Sequence, residues 1–305
     1  MKVKESILNQ YSACKLCPRN CGADRYKKSG FCKSGTLAAV ARADIHMWEE
    51  PCISGNMGSG TVFFSGCSLR CVFCQNHEIS HSPKGEIISN EKLGDIFLRL
   101  QDKGAHNINL VNPTHYVPNI INALDIVKNK LTIPVVYNSS GYEKAETIAA
   151  LEGYVDVFLP DLKYFSSDLS KKYSYAPDYF ECASKAISKM IDVAGYPVFD
   201  ENGMIKSGVI VRHLVLPSNV TDSKNILRFL AENFDTSRLY VSLMCQYFPT
   251  HKAYEYKEIS RRLTSLEYGK VLSYAKELGI VNGFCQARSS AKEEYVPEFF
   301  DKLDF

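Results

Sequence analysis

The sequence predicts an α/β protein whose main part is a partial (β/α)6 barrel with a small cysteine-rich N-terminal appendage. From residue 61 onward, six short runs of β-branched or aromatic residues alternate with amphipathic helical stretches. Because parallel strands need a connection long enough to return the chain, such a series favours a parallel sheet with right-handed crossovers. Six units are fewer than the eight of a closed barrel, so a partial barrel is the first choice and a doubly wound open sheet the second.

The predicted strands follow from the apolar runs. They span residues 61–65, 107–111, 134–137, 155–159, 209–216 and 239–244, and a shorter closing strand spans residues 280–285. Between the strands, apolar residues at three- or four-residue spacing predict helices, as in the series Leu93, Ile96, Phe97 and Leu100. Asn90 and Ser223 are the predicted N-caps of two of these helices.

Local composition divides the 305 residues into three parts. Residues 1–55 are rich in cysteine, glycine and basic residues, with few regular apolar periods, and they form the appendage. Residues 56–290 form the barrel. Residues 291–305 are a charged C-terminal tail, which we expect to be loose.

The overall charge and the hydropathy restrict the partners and the compartment. Charged residues make up 23% of the chain and the net charge is +2, so no electrostatic footprint indicates nucleic acid or an anionic membrane. The N-terminus lacks the apolar core of a signal peptide, and no later stretch approaches the roughly 18 apolar residues of a membrane span. The prediction is a cytoplasmic protein.

Cysteine is unusually frequent, with eleven residues, and seven of these fall into two groups. In a reducing compartment, closely spaced cysteines indicate metal ligands or catalytic thiols. The second group, Cys67, Cys71 and Cys74, follows the first strand, where barrel enzymes carry their chemistry. Three thiolates at this spacing can bind three irons of a cubane and leave the fourth open to a substrate. The alternatives are a zinc knuckle with His77 or His81 as fourth ligand, or cysteines that are merely close in sequence.

The first group of cysteines lies in the appendage, which is too small to fold on core burial alone. Its members are Cys14, Cys17, Cys21 and Cys32. A structural zinc ion or a second iron-sulfur cluster would supply the missing stability, and reduced thiols without metal are the third possibility. Later in the appendage, residues 46–50 contain the only tryptophan, and they either line the active-site mouth or form a buried hinge.

The spacing of Cys67, Cys71 and Cys74, with Phe73 directly before the last cysteine, resembles the radical S-adenosylmethionine (SAM) superfamily. Over nearly its whole length the chain resembles the pyruvate formate-lyase activating enzymes of that superfamily, especially the PflX-like branch. The segments that carry this resemblance are residues 14–21, 46–51, 58–61, 71–80, 112–116, 137–141, 160–164 and 212–217.

The resemblance implies a 4Fe-4S cluster on the three cysteines, whose open iron binds SAM. It further implies reductive cleavage of SAM to methionine and a 5′-deoxyadenosyl radical that abstracts a hydrogen atom. The implied partners are a one-electron donor, such as a flavodoxin or ferredoxin, and a protein or peptide substrate that is activated as a glycyl radical. A small molecule or RNA is the alternative substrate, and a non-catalytic iron-sulfur or zinc protein for interaction or sensing is the alternative class.

The resemblance also assigns residues that follow the second and fourth strands. Asn112 and Thr114 stand where the superfamily usually has a Gly-Gly-Glu segment that binds the SAM amino group, so the usual carboxylate is missing. A turn with a helix cap is the alternative for these residues. The activating enzymes have the same Asp-Leu-Lys segment, and this resemblance implies that Asp161 and Lys163 are catalytic and cofactor-binding residues. Alternation along a strand lets both face the barrel mouth. Lys163 suits the SAM carboxylate or a substrate, and an ordinary ion pair is the alternative.

Further cofactor-binding residues are assigned after the third, fifth and sixth strands. Asn138 belongs to the third-strand segment that carries the resemblance. Arg212 matches an arginine that can bind a carboxylate bidentately. His213 is its neighbour, so only one of the two can point into the barrel, and a hydrogen-bonded core histidine is the alternative for His213. Gln246 and Tyr247 stand where the family often has a polar residue in contact with SAM.

Overall fold

The computed structural model describes residues 2–82, 84–286 and 299. The predicted C-terminal tail, residues 291–305, therefore lies outside the described residues except for Phe299. The strands in this part of the chain are β1 (Ala38–His46), β2 (Ser59–Phe64), β3 (Glu86–Ile88), β4 (Ile108–Val111), β5 (Val135–Ser139), β6 (Val157–Pro160), β7 (Val198–Phe199), β8 (Ile205–Leu214), β9 (Tyr240–Met244) and β10 (Gly283–Cys285).

The order of the strands confirms the prediction of a parallel α/β sheet. Seven strands lie side by side in the order in which they occur in the chain, and each is parallel to the one before: β2, β4, β5, β6, β8, β9 and β10. A doubly wound sheet reverses its strand order at a switch point, whereas this sheet progresses in one direction, as a barrel does. The predicted strands, including the closing strand, all form.

Two antiparallel strands extend the sheet beside β2. Strand β1 pairs with β2, and on its other side it pairs with β3. The sequence did not predict β1, because its buried half, residues 38–41, is mostly alanine, which has a low preference for strands. Pairing with β2 stabilises it instead. Part of the predicted appendage thus belongs to the sheet, and the domain boundary at residue 55 stays a prediction.

Helices follow most of the strands. They are α1 (Lys2–Leu8), α2 (Pro51–Ser54), α3 (His77–Ser80), α4 (Asn90–Asp102), α5 (Val117–Val127), α6 (Ala145–Ala149), α7 (Ser167–Ser174), α8 (Tyr179–Ala194), α9 (Val220–Asn233) and α10 (Ser265–Glu277). Both predicted N-caps are wrong. Ser89 caps α4 by accepting a hydrogen bond from Lys92 N, and Ser223 lies inside α9, where it bonds His213. Within the described residues, no helix is long and apolar enough to cross a membrane.

The short helix α2 fills the inner face of the sheet. Its Ile53 is fully buried and packs in a cluster with apolar residues of β5, β6 and β8, among them Val136 and Ile210. Ile210 and Arg212 share one face of β8, because side chains two positions apart point the same way. The apolar cluster therefore closes the interior toward the amino ends of the strands and leaves space at their carboxyl ends.

Candidate active site

A cavity of about 660 Å³ lies on the inner face of the sheet, at the carboxyl ends of the parallel strands. Its lining includes Asn138, Asp161 and Arg212, which stand at the ends of three neighbouring strands. Cys71 and Cys74 form part of another wall. The volume falls in the range of small-molecule and cofactor sites. The cavity therefore brings the predicted charged residues together with the cysteine loop.

The three cysteines after β2 each have a hydrogen-bond partner at sulfur. Cys67 and Cys71 are buried and Cys74 is half-buried. The pairs are Asn112 Nδ2 with Cys67 Sγ at 3.2 Å, Ser174 Oγ with Cys71 Sγ at 2.9 Å, and Ser80 Oγ with Cys74 Sγ at 3.4 Å. Burial raises the pKa of Cys74 to about 12 and also raises the pKa of Cys71, so metal binding must displace their protons.

These thiols fit an iron-sulfur cluster better than a single metal ion. Within the residues that the structure describes, no three His, Cys, Asp or Glu side chains are arranged to hold one metal ion. Cysteines that hold a cubane bind separate irons, so they need not converge on one point. The histidines of the zinc-knuckle alternative pack against His251, with ring centroids 4.6 Å away for His77 and 4.7 Å away for His81.

The appendage packs directly on the cysteine loop. Gly66 has a φ of +90°, and a Cβ there would lie 2.4 Å from the carbonyl oxygen of Cys32, so only glycine fits before Cys67. The ring of Phe31 lies between two guanidinium groups, 4.2 Å from Arg19 and 4.4 Å from Arg70. Arg19 also donates a hydrogen bond to the Ser68 carbonyl at 2.8 Å. The conformation of the cysteine loop thus depends on contacts from the appendage.

Asp161, Lys163 and Arg212 form a largely buried ion-pair group in the cavity. Asp161 accepts from Lys163 Nζ with one carboxylate oxygen and from Arg212 Nε, at 2.9 Å, with the other. Burial opposes ionisation of Asp161, but the two cations outweigh it and lower its pKa. Burial lowers the pKa of Lys163, but the Asp161 carboxylate more than offsets this effect, and the pKa of Lys163 is raised. Both side chains therefore stay charged at neutral pH.

The sequence analysis named Glu49 and Glu50 only as part of residues 46–50 and assigned neither of them a role. The segment before α2 lines the cavity, which confirms the first of the two interpretations of residues 46–50. Glu49 accepts from Arg212 at 3.1 Å with Oε2, and from Asn109 and Asn138 at 3.1 and 3.2 Å with Oε1. The sequence offered one indication, which was that two acidic residues follow the only tryptophan. No local sequence pattern, however, predicts that these two side chains lie on the inner face of the sheet.

The residues assigned after the second strand lie next to the cysteine loop rather than in the cavity lining. Thr114 is fully buried, and hydrogen bonds join its Oγ1 to Asn112 Oδ1 at 3.2 Å and to Glu143 Oε1 at 2.5 Å. Burial raises the pKa of Glu143 to about 8. Asn112 in turn contacts Cys67, so Thr114 and Glu143 orient an amide that meets a cysteine sulfur.

Of the paired residues on β8, Arg212 lines the cavity and His213 does not. Both ring nitrogens of His213 are hydrogen-bonded, one to the Leu162 carbonyl at 2.7 Å and one to Ser223 Oγ at 2.9 Å. These contacts leave no ring nitrogen for a ligand. After β9, Gln246 lines the cavity, whereas the Tyr247 hydroxyl donates to a backbone carbonyl at 2.6 Å and is buried.

The appendage cysteines lie in one neighbourhood. Cys14 and Cys32 are buried, Cys17 is half-buried and Cys21 is exposed. Burial raises the pKa of Cys17, and Cys32 and Cys14 are close enough to raise it further. Arg25 interacts electrostatically with both Cys14 and Cys32. Within the described part of the chain, no three of these thiols are arranged to hold one metal ion, so a metal on this group stays a prediction.

Comparison with known proteins decides the family. The sequence profile of the radical SAM superfamily matches residues 61–230, which include the cysteine loop and strands β4 to β8. The chain belongs to the radical SAM superfamily. Members bind a 4Fe-4S cluster and SAM, so both are cofactors of this radical SAM protein.

Three individual proteins are similar to this chain. An uncharacterized protein of Methanocaldococcus jannaschii, MJ0674, is 30% identical over 286 residues, which cover 90% of this chain and 78% of that protein. The radical SAM fold is also similar to that of methylornithine synthase, with a TM-score of 0.50 and 16% identity, over 99% of this chain and 84% of that one. Streptococcus suis SuiB bound to its precursor peptide SuiA has a TM-score of 0.49 and 15% identity, over 72% of this chain and 46% of SuiB.

Proposed function

We propose that Cys67, Cys71 and Cys74 hold the 4Fe-4S cluster, and that the adjoining cavity binds SAM together with a substrate that loses a hydrogen atom. The supporting observation is that a buried, charged group of Asp161, Lys163 and Arg212 lines the same cavity as Cys71 and Cys74. When bound, the cluster supplies the electron that cleaves SAM reductively to methionine and a 5′-deoxyadenosyl radical.

Lys163 is the residue best suited to bind the SAM carboxylate. An ammonium group has three donors, and the described contacts of Lys163 Nζ use one, to Asp161. Arg212, by contrast, already donates to Asp161, Glu49 and Asn138. Arg212 therefore fixes the position of Asp161, and Asp161 fixes Lys163 with donors left over for a ligand.

Aromatic side chains protect the cluster loop from water. Phe73, which lies between Cys71 and Cys74 in the sequence, is buried. Its ring contacts three tyrosine rings edge to face, at centroid distances of 6.4 Å for Tyr164, 6.4 Å for Tyr173 and 5.8 Å for Tyr247. Edge-to-face contacts of this kind stabilise a fixed packing arrangement. Exclusion of water from Cys71 and Lys163 strengthens their electrostatic interaction with ligands.

The substrate has two candidates. The resemblance to the activating enzymes supports a partner protein or peptide, activated as a glycyl radical, with a flavodoxin or ferredoxin as electron donor. The size of the cavity, about 660 Å³, supports a small molecule instead. A shared fold and cofactor do not fix the substrate.

The proposal is tested by anaerobic reconstitution with iron and sulfide, reduction with dithionite and incubation with SAM. We expect 5′-deoxyadenosine and methionine from the wild-type protein, and neither product from Cys71→Ala, which loses a cluster ligand. Cys182→Ala is the matched control, because Cys182 lies on α8 outside the cavity lining. Wild-type protein with an intact cluster that leaves SAM uncleaved would refute the proposal, as would full activity of Cys71→Ala.

A further inference from the structure

The carboxyl group of Glu50 lies in the cavity wall with one oxygen unpaired. Glu50 is 8% exposed, and its Oε2 is buried without a hydrogen-bond partner among the described residues. An unsatisfied buried acceptor costs more than an ordinary hydrogen bond contributes. Such groups are rare in native proteins, and in a cavity they indicate a place where a ligand supplies the donor.

Glu49, the preceding residue, differs from Glu50 because both of its carboxylate oxygens have hydrogen-bond partners. Arg212 satisfies its Oε2, and Asn109 and Asn138 satisfy its Oε1. Glu49 is thus used in holding the charged group together. Glu50 is the next residue in the chain and lines the same cavity, yet it keeps a free acceptor. Structural contacts account for both oxygens of Glu49, whereas the hydrogen bond between Glu50 and Ser242 leaves Oε2 of Glu50 without a partner among the described residues.

The charges of the cavity define the ligand that would fit. In the part of the lining that the structure describes, the carboxylates are Glu49, Glu50 and Asp161, and the cationic side chains are Lys163 and Arg212. Asp161 pairs with both cations and Glu49 pairs with Arg212. Counted as formal charges, the excess is one negative charge, and Glu50 is the carboxylate to which none of the described ion pairs belongs. Burial raises the pKa of Glu50 despite the nearby Arg212, so a cation bound beside it would stabilise its charged form. A ligand that carries a positive charge and N–H donors satisfies both the charge and the open oxygen.

The position of Glu50 separates it from the cysteine loop. Cys71 interacts electrostatically with Lys163 and Asp161, whereas the charged neighbours of Glu50 are Arg212 and Glu49. The ion pairs continue this series away from the cysteines, because Lys163 pairs with Asp161, Asp161 pairs with Arg212, and Arg212 pairs with Glu49, the neighbour of Glu50 in the chain. With SAM at the end beside Lys163, the end beside Glu50 is left for the substrate.

We propose that Glu50 is a substrate-recognition residue whose Oε2 binds a primary ammonium group of the substrate. The substrate class is then an alkylammonium compound, either a small amine or the amino group of a peptide. This inference rests on the proposed function, because it takes SAM to occupy the end of the cavity near Lys163.

The only tryptophan of the chain, Trp48, lines the same cavity and gives a direct reporter. Reconstituted, SAM-loaded protein is titrated anaerobically with n-butylammonium chloride while Trp48 fluorescence is recorded at constant ionic strength. We expect a saturable change in the wild-type protein, with n-butanol and sodium butyrate giving none. Glu50→Gln should weaken n-butylammonium binding by about tenfold or more, as expected for a lost charge-assisted hydrogen bond.

Two further variants make the outcome specific. Glu50→Asp keeps the charge, so it should bind n-butylammonium more tightly than Glu50→Gln does, even if packing around α2 is disturbed. Glu201→Gln, an exposed turn residue, is the matched control and should bind like the wild-type protein. Equal n-butylammonium affinity in the wild-type protein and Glu50→Gln would overturn the inference.

Two other outcomes separate this inference from the proposed function. If Glu50→Gln weakens SAM binding, and n-butylammonium binds only without SAM, then Glu50 contacts the SAM amino group and the inference is wrong. If the wild-type protein cleaves SAM but does not bind n-butylammonium, the inference fails and the proposed function stands. If the wild-type protein with an intact cluster does not cleave SAM, the proposed function fails whatever the amine does.

Discussion

Asn112 donates a hydrogen bond from Nδ2 to the sulfur of Cys67, at 3.2 Å. The other end of this amide, Oδ1, contacts Thr114 Oγ1, which also contacts Glu143 Oε1. A threonine hydroxyl has one proton to donate, so both contacts are satisfied only if Glu143 carries a proton. Its pKa of about 8 is consistent with this at neutral pH. Protonated Glu143 therefore orients Asn112 with its N–H group toward Cys67.

Substitution of Asn112 should change the reduction potential of the cluster. Hydrogen bonds to ligand sulfur stabilise the reduced, more negative cluster, so Asn112→Ala should lower the potential. A net hydrogen bond of about 1 kcal/mol corresponds to roughly 40 mV for one electron. A redox titration followed by electron paramagnetic resonance measures the shift. Asn202→Ala, in an exposed turn, is the control, and an unchanged potential in Asn112→Ala would count against a role for this contact.

Glu143 should make the protein less stable as pH rises. Its pKa is about 4.5 in the unfolded chain and about 8 in the folded protein, because burial disfavours the carboxylate. The contribution of Glu143 to stability is therefore complete below pH 4.5 and is lost as pH rises toward 8, because the unfolded chain releases its proton at lower pH than the folded protein does. Each pKa unit corresponds to about 1.4 kcal/mol at most. Urea unfolding at pH 5 and pH 8 measures the loss.

The same experiment on Glu143→Gln isolates the group responsible. This variant cannot ionise, so the difference between its unfolding free energies at pH 5 and pH 8 should be smaller than in the wild-type protein. Glu152→Gln, an exposed residue after α6, should keep the wild-type difference. An identical pH dependence in Glu143→Gln and the wild-type protein would show that another group is responsible.

Loss of Lys163 should weaken SAM binding. Lys163→Met keeps much of the side-chain length and removes the charge, so the SAM carboxylate loses a charge-assisted hydrogen bond, and affinity should fall about tenfold to a hundredfold. Anaerobic isothermal titration calorimetry measures the dissociation constant. Lys185→Met is the control, because Lys185 is an exposed lysine paired with Glu181 on α8. Unaltered SAM affinity in Lys163→Met would contradict the proposed role.

Removal of the Phe31 ring should loosen the cysteine loop. Phe31 lies between Arg19 and Arg70, and each cation–π contact contributes about 0.5–1 kcal/mol. Phe31→Ala should therefore release iron to a chelator roughly five- to thirtyfold faster, as measured by the decay of cluster absorbance. Tyr26→Ala is the matched control, since Tyr26 belongs to the same appendage and is 72% exposed. Equal decay rates in Phe31→Ala and the wild-type protein would argue that the appendage does not brace the loop.

The appendage cysteines should bind metal beyond the four irons of the cluster. Anaerobically purified wild-type protein should contain additional zinc or iron, and Cys17→Ser with Cys32→Ser should lose this excess but keep the cluster. Mass-spectrometric metal analysis distinguishes zinc from iron. Cys182→Ser should resemble the wild-type protein. A wild-type metal content limited to four irons would show that these four thiols bind no metal.

The local sequence was sufficient for most of the fold. Parallel strands covered on both faces carry continuous apolar runs, and these identified all six strands and the short closing strand. Strand β1 was missed because its alanine-rich half has no such run, and pairing with β2 decides its conformation. The N-caps were missed by one to four positions, because several polar residues near a helix start compete for that role.

The candidate site likewise contains residues that the sequence identified and residues that only the structure could assign. Cys67, Cys71 and Cys74 are close in sequence, so their spacing by itself indicated a metal or cluster site. The resemblance to the radical SAM superfamily implied the 4Fe-4S cluster that we propose on them. Arg212 and His213 could be separated only in the structure, which places Arg212 against Asp161 and points His213 away.

Sequence alone thus determined the order of strands and helices, the cysteine loop and the family, since each depends on residues near one another in the chain. Only the tertiary structure decided that Glu49 and Glu50 enter the cavity and that Asn112 meets Cys67. Glu49 and Arg212 are 163 positions apart in the sequence, and Asn112 and Cys67 are 45 positions apart. No local pattern encodes these contacts, because they arise from the pairing of β2 with β4 and from the packing of the segment before α2 against the sheet.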